Sequence, residues 1–125
     1  MSECVFCEIV QGKAPAIIVK KWSDAVAFVP LKPVVKEEFG HVLVVPRVHV
    51  RDFTVDPDVT AATARRAAQL GAWIGVDEAA GKGLNMISSA GEAATQTVYH
   101  LHVHVAIRRD KDGLSLLWTG QDEED

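Results

Sequence analysis

The stretch His100-Leu101-His102-Val103-His104-Val105-Ala106 decides how this chain is read. Leucine and valine at every second position give it the apolar density of a strand, and strand side chains alternate between faces. Three imidazoles therefore line one face, while Leu101, Val103 and Val105 point to the other. Same-face neighbours lie roughly 6.5–7 Å apart along a strand, too far for direct ring-to-ring hydrogen bonds in an ideal strand. That spacing still lets three rings border one phosphate-sized ligand or bind different partners. Imidazole has the unperturbed pKa nearest neutrality, so three of them in one cleft suggest proton transfer, nucleophilic attack or metal ligation. A single strand histidine is ordinarily a surface or capped core residue. Here three of the chain's five histidines fall within five residues.

The loop Gly91-Glu92-Ala93-Ala94-Thr95-Gln96-Thr97 leads into this run. Its small residues permit a tight backbone with exposed N–H groups, and Gln96 and Thr97 add side-chain donors. Donors beside a histidine row make an anion pocket. Further upstream, residues 5 to 11 suit a short helix, stopped by Gly12 and the Ala14-Pro15 step. Ile17 to Trp22 and Ala25 to Val29 read as strands around a Ser23-Asp24 turn. Pro30 to Gly40 is a loop carrying the charged cluster Lys36-Glu37-Glu38, and His41 to Pro46 is a buried strand. Asp56-Pro57 supplies an N-cap and a first-turn proline for a helix expected to run to about Ala80, ended by Gly81 and Gly83. Leu84 to Ser89 and Val98 to Ile107 are strands, and Leu114 to Trp118 adds a last strand or packs as a C-terminal arm. The expected fold class is α+β: an antiparallel sheet with one main helix packed on it.

The 125 residues suffice for one domain with a core, residues 1 to 125, and 48% hydrophobic content is that of an ordinary globular chain. The net charge is −4, partly from a solvated acidic tail at Gln121 to Asp125. No basic patch argues for nucleic acid, and no apolar stretch reaches membrane-spanning length. The N-terminus lacks a signal-peptide pattern, so a cytoplasmic protein with reduced cysteines is expected. Cys4-x-x-Cys7 is then a candidate metal knuckle, and His41, His49 and His100 are available to complete a Cys₂His₂ tetrahedron. Trp22, Trp73 and Trp118 read as core or interface anchors, and Arg108-Arg109 as a solvated pair.

Taken together these residues resemble the histidine-triad (HIT) superfamily of nucleotide hydrolases and transferases. Its signature, His-φ-His-φ-His-φ-φ with φ apolar, is met throughout residues 100 to 106. The opening Cys4-Val-Phe-Cys7 through Pro15, the pair Ala27-Phe28, the segment His41 to His49 and Gln96-Thr97-Val98-Tyr99 resemble further family segments in the family's order. The resemblance implies a HIT-like fold and a homodimer with a continuous sheet. It implies attack by His102 on the α-phosphorus of a nucleoside phosphoramidate, adenylate or dinucleoside polyphosphate, with a purine base. A nucleotidyl-histidine would form and water would release the nucleoside monophosphate. His104 would orient and polarise the site, and His41 would flank it. Gln96, Thr97 and the Val98 amide, with Ser89 near, would hold the phosphate, and Phe28, Val29 and Leu31 would line the base pocket.

A zinc-containing branch of the superfamily implies a structural Zn²⁺ on Cys4, Cys7, His49 and His100. Three positions depart from the family pattern. Pro30 stands where an acidic residue usually holds the ribose, Ser89 where an amide side chain often assists the phosphate, and Thr95 where glycine is common. The alternative is a dimeric, zinc-stabilised nucleotide sensor or adaptor with negligible turnover.

Overall fold

The computed structural model describes residues 4–116. Five antiparallel strands form one sheet: β1 (Ile17–Lys21), β2 (Ala25–Val29), β3 (His41–Pro46), β4 (Lys82–Ile87) and β5 (Val103–Arg109), in the spatial order β1-β2-β3-β5-β4. A short helix α1 (Val5–Val10) precedes the sheet, and the main helix α2 (Pro57–Ile74) connects β3 to β4. The α+β architecture expected from the sequence is the one observed. The Leu114–Trp118 arm is without regular structure as far as residue 116, and Trp118 and the tail 121–125 lie outside the described residues.

The central strands explain why β2 and β3 are apolar at nearly every position. Both faces of the sheet are covered. On one face, Ala25, Ala27, Val42, Val44, Val103 and Val105 pack against Ala67 and Leu70 of α2. On the other, Val26, Phe28, Leu43 and Val45 pack against Phe6 of α1. A strand covered on both sides loses the alternating pattern and reads as a continuous apolar run. In β5 alternation survives, because Val103 and Val105 face α2 while His104 faces the α1 side. His41 lies opposite Ala106 in the ladder, which makes it a diagonal neighbour of His104 on that side.

Three elements are bounded differently from the sequence reading. Helix α2 ends at Ile74 rather than near Ala80. Gly75 takes φ +87, a conformation that stops a right-handed helix, and Lys82 Nζ donates to the exposed Ile74 carbonyl at 2.8 Å. Asp77 then opens a separate 3₁₀ turn at Glu78–Ala80. Strand β4 consequently starts at Lys82 and ends at Ile87, not Leu84 to Ser89. The histidine strand begins at Val103, not Val98. Before it, the Leu101 N–H bonds Val50 O at 2.8 Å, and His102 Nδ1 bonds the His100 carbonyl at 2.8 Å. These partners replace the ladder over residues 100 to 102.

Leu70 is 4% exposed and sits where α2 meets the sheet. Truncation there leaves a cavity, so Leu70→Ala is expected to lower the unfolding free energy by about 2–4 kcal/mol. Urea denaturation of the two proteins checks the value.

Candidate active site and metal centre

Two clusters meet at His100. The first is built by α1 and the segments around it. Cys4 is the N-cap of α1 and accepts the Cys7 N–H at 3.4 Å, so Cys-x-x-Cys spacing brings both sulfurs to one side of the first turn. Cys7 Sγ lies 3.2 Å from His49 Nδ1 and 3.5 Å from His100 Nδ1. Cys4 Sγ is 3.4 Å from His100 Nδ1, and the two imidazole Nδ1 atoms are 3.1 Å apart. All four ligand atoms fall within 4.8 Å of one another. Tetrahedral zinc, with Zn–S near 2.3 Å and Zn–N near 2.0–2.1 Å, separates sulfur and nitrogen ligands by roughly 3.5 Å. The donor set and its spacing fit that ion.

The other ring nitrogen of His100 supports the fit. His100 Nε2 bonds the Pro46 carbonyl at 3.0 Å, and a carbonyl accepts only, so Nε2 carries the proton and Nδ1 offers its lone pair to the cluster. His100 is fully buried. Burial holds its pKa below the usual imidazole value, against the opposing pull of the Pro46 carbonyl.

The second cluster is the histidine row itself. His102 Nδ1 donates to the His100 carbonyl, which leaves Nε2 as a bare lone pair with no partner among the described residues. Phe6 presents an edge contact to the His102 ring, at 5.2 Å between centroids. His104 lies next to it, 5.1 Å away by ring centroid. His104 Nδ1 is 3.0 Å from His41 Nε2, and His41 Nδ1 accepts the Val34 N–H at 3.1 Å. Beside the row opens an apolar cavity of about 640 Å³, with walls that include Phe6, Phe28, Val29, Pro30, Leu31 and Val98. Every side chain on its walls is apolar. The volume suits a small organic ligand.

A family model described as the HIT domain matches residues 11–111. The chain belongs to the HIT family. Among HIT relatives, "Protein hit" of Bacillus subtilis is 34% identical over 116 residues, covering 92% of this chain and 78% of that protein. The adenosine 5'-monophosphoramidase of Candida albicans is 25% identical over 125 residues, covering 96% of this chain and 80% of the other. A solved structure of a zinc-bound histidine triad family protein from Mycobacterium smegmatis superposes with TM-score 0.71 at 37% identity, over 91% of this chain and 81% of that one.

In this HIT chain the structure brings His41, His102 and His104 together, and separately Cys4, Cys7, His49 and His100. Phe28, Val29, Leu31 and Val98 share the apolar cavity. Gln96 is 3% exposed, and its side chain is committed to backbone: Oε1 accepts the Gly91 N–H, and Nε2 donates to Arg51 O and Val98 O. It shapes the loop. Thr97 is exposed at the end of that loop, and Ser89 is half-buried after β4. Thr95 takes φ +70, an unusual conformation for a β-branched residue.

Four participants escaped the sequence reading: Phe6, Ser88, Pro46 and Val34. Ser88 Oγ donates to the His102 carbonyl at 2.8 Å, one residue from the serine that was singled out. Pro46 and Val34 act through backbone atoms, which leave no side-chain signature. Phe6 sits between the two cysteines in sequence, but an apolar residue of a short helix carries no signal of a role at the site.

Burial pushes the His104 pKa down to about 4, with the neighbouring His102 and His41 adding to the effect, and burial also lowers His41. Both rings are neutral at pH 7. Their folded pKa values lie below the unfolded value of about 6.5, so the unfolded chain takes up protons that the folded one refuses. Stability is therefore full above about pH 6.5 and falls as the pH drops toward 4. With allowance for partial solvent access, His104 contributes about 2 kcal/mol to that loss. Denaturation of wild type and His104→Gln from pH 7 to pH 4 is expected to show a loss smaller by about this amount in the variant.

Proposed function

We propose that this chain is a nucleotide hydrolase or nucleotidyl transferase, acting at the α-phosphorus of purine nucleoside phosphoramidates, adenylates or dinucleoside polyphosphates. One observation carries the reading. The His100 carbonyl takes the Nδ1 proton of His102 and leaves Nε2 unengaged, on a ring whose neighbour Phe6 also lines a nucleoside-sized apolar cavity. The likeness to a monophosphoramidase supports the substrate class.

In the proposed mechanism the base lies in the cavity between Phe6, Phe28 and Leu31. His102 Nε2 attacks phosphorus, an N–P bond forms, and the bond to the leaving group breaks. The ring already holds its Nδ1 proton, and the cationic phosphoimidazole is stabilised by the carbonyl that accepts it. His104 has its Nδ1 occupied by His41, so its Nε2–H is the donor for the phosphate oxygens or the leaving atom. Thr97, Ser89 and the Val98 amide supply further donors as charge develops on the oxygens. Gln96 acts at one remove, by holding this loop in shape. Water then cleaves the N–P bond and restores His102.

Cys4, Cys7, His49 and His100 would hold a structural zinc ion, closed and four-coordinate, that ties α1 to the histidine segment. The zinc-bound relative supports the choice of metal. A homodimer completes the proposal. Strand β4 is an edge of the sheet with Met86 and Ile87 exposed, and α2 presents exposed Ala68 and Ala72 nearby. An unpaired apolar edge beside small helix residues suits a second copy. The expected location is the cytoplasm.

His102→Ala is expected to lower turnover of adenosine 5'-phosphoramidate by at least a thousandfold with an unchanged fold. Mass spectrometry of quenched wild-type reactions should show one nucleotidyl adduct, located on His102. Full activity in the variant would sink this mechanism, and the absence of an adduct across adenylate and phosphoramidate substrates would favour the sensor reading instead.

Elemental analysis of the untagged protein is expected to give about one zinc per chain. Cys4→Ser should lose most of it and melt several degrees lower. A metal content far below one per chain in the wild type would refute the site.

A further inference from the structure

The loop of residues 30–40 joins β2 to β3, and it delivers one backbone amide to the histidine pair. We propose that the Val34 N–H is a positioning group for catalysis: it selects the tautomer of His41 and, through His41, places the proton of His104 on Nε2. The proposal rests on the reading of His102 and His104 as the reacting pair.

The chain of deduction uses two distances. A neutral imidazole has one donor nitrogen and one acceptor. The Val34 N–H lies 3.1 Å from His41 Nδ1, and a backbone amide nitrogen only donates, so Nδ1 is the acceptor. The proton of His41 is then on Nε2. That atom lies 3.0 Å from His104 Nδ1, which must accept, so the proton of His104 is on Nε2. Without the amide, both rings can shift together. His41 would carry its proton on Nδ1, its Nε2 would accept from His104 Nδ1, and His104 Nε2 would become a bare acceptor. A bare acceptor repels phosphate oxygens and cannot donate a hydrogen bond to a leaving atom. With the amide present, the shifted arrangement sets two N–H donors against each other.

The loop is fastened on several sides so that this amide stays in place. A Cβ on Gly40 would lie 2.5 Å from Val35 Cγ1 and 2.8 Å from the Glu37 carbonyl oxygen, so the loop closes tightly over a residue that must lack a side chain. The Gly40 N–H bonds Glu37 O at 2.8 Å, and the Gly40 carbonyl accepts the Ile107 N–H at 2.8 Å. Phe39, at φ +60, packs its ring edge on Trp73 at 4.9 Å between centroids. Glu37 pairs with Arg109 at 2.8 Å. Val34 is 61% exposed. Its side chain does little packing while its amide is engaged, which is the pattern of a residue used for its backbone.

The test uses three variants and one spectroscopic readout that does not depend on turnover. Long-range proton–nitrogen correlation spectra of the imidazole rings in the full-length protein report which nitrogen carries each proton. In the wild type, His41 and His104 are both expected to be protonated at Nε2. Val34→Ala keeps the amide and should leave both ring tautomers as they are in the wild type. Val34→Pro removes the amide and should give mixed tautomers, with kcat for adenosine 5'-phosphoramidate reduced roughly tenfold, the scale of one hydrogen bond, and KM within twofold. Gly40→Ala, which displaces the loop while keeping every histidine in the sequence, should move both readouts in the same direction.

A His104 ring protonated at Nδ1 in the wild type would overturn the proposal. So would Val34→Pro with wild-type tautomers and kcat. If Val34→Pro fails to fold, the wild-type spectra and Gly40→Ala decide. A wild type that turns over no phosphoramidate would defeat the catalytic reading beneath the proposal, while the tautomer assignment would still stand or fall on the spectra.

Discussion

The hydrogen bond from His102 Nδ1 to the His100 carbonyl joins the two halves of this molecule's chemistry. His100 turns its ring to the cysteines and its carbonyl to His102, so one residue serves the metal cluster and the histidine row at once. That double duty bends the chain. The His100 carbonyl bonds a side chain instead of a neighbouring strand, and regular pairing begins only at Val103. The cost in ladder hydrogen bonds is offset by the Leu101 N–H on Val50 and by the fully buried His100 ring on Pro46.

The surrounding fold serves to keep that junction dry and still. Helix α2 covers one face of the sheet and fills the core with Ala67 and Leu70, which leaves the opposite face for chemistry. On that face α1 is short, six residues, and marginal as an isolated helix. Its position comes from Phe6 packing on Phe28, at 5.3 Å between rings, and from the two cysteines beside His49 and His100. Phe6 then borders both the apolar cavity and the His102 ring. A metal bound to the cluster would therefore brace the cavity wall as well as the histidine segment.

Much of this was legible in the chain. The His-φ-His-φ-His alternation placed the imidazoles on one face, and the five strands and both helices lie where apolar runs and cap residues put them. The boundaries that moved did so through contacts no local pattern encodes. Gly75 stops α2 because Lys82 comes back to cap Ile74. The histidine strand starts late because His102 bonds its own backbone. Gln96 read as a phosphate donor from its type and place, yet its amide is spent on Gly91, Arg51 and Val98. Side-chain chemistry announces what a residue is able to bind, and packing determines what reaches it first.

The sequence by itself determined the family, the α+β class and most members of the two side-chain clusters, because periodicity and residue type are local properties that a strand or a helix turn converts directly into position. The tertiary structure alone decided which nitrogen holds the proton in His41, His100, His102 and His104. Those assignments come from the carbonyls of Pro46 and His100 and the amide of Val34, each brought to its ring by a chain reversal or a loop. Backbone groups are the same at every position, so their use as partners is invisible until folding chooses which one stands beside which ring.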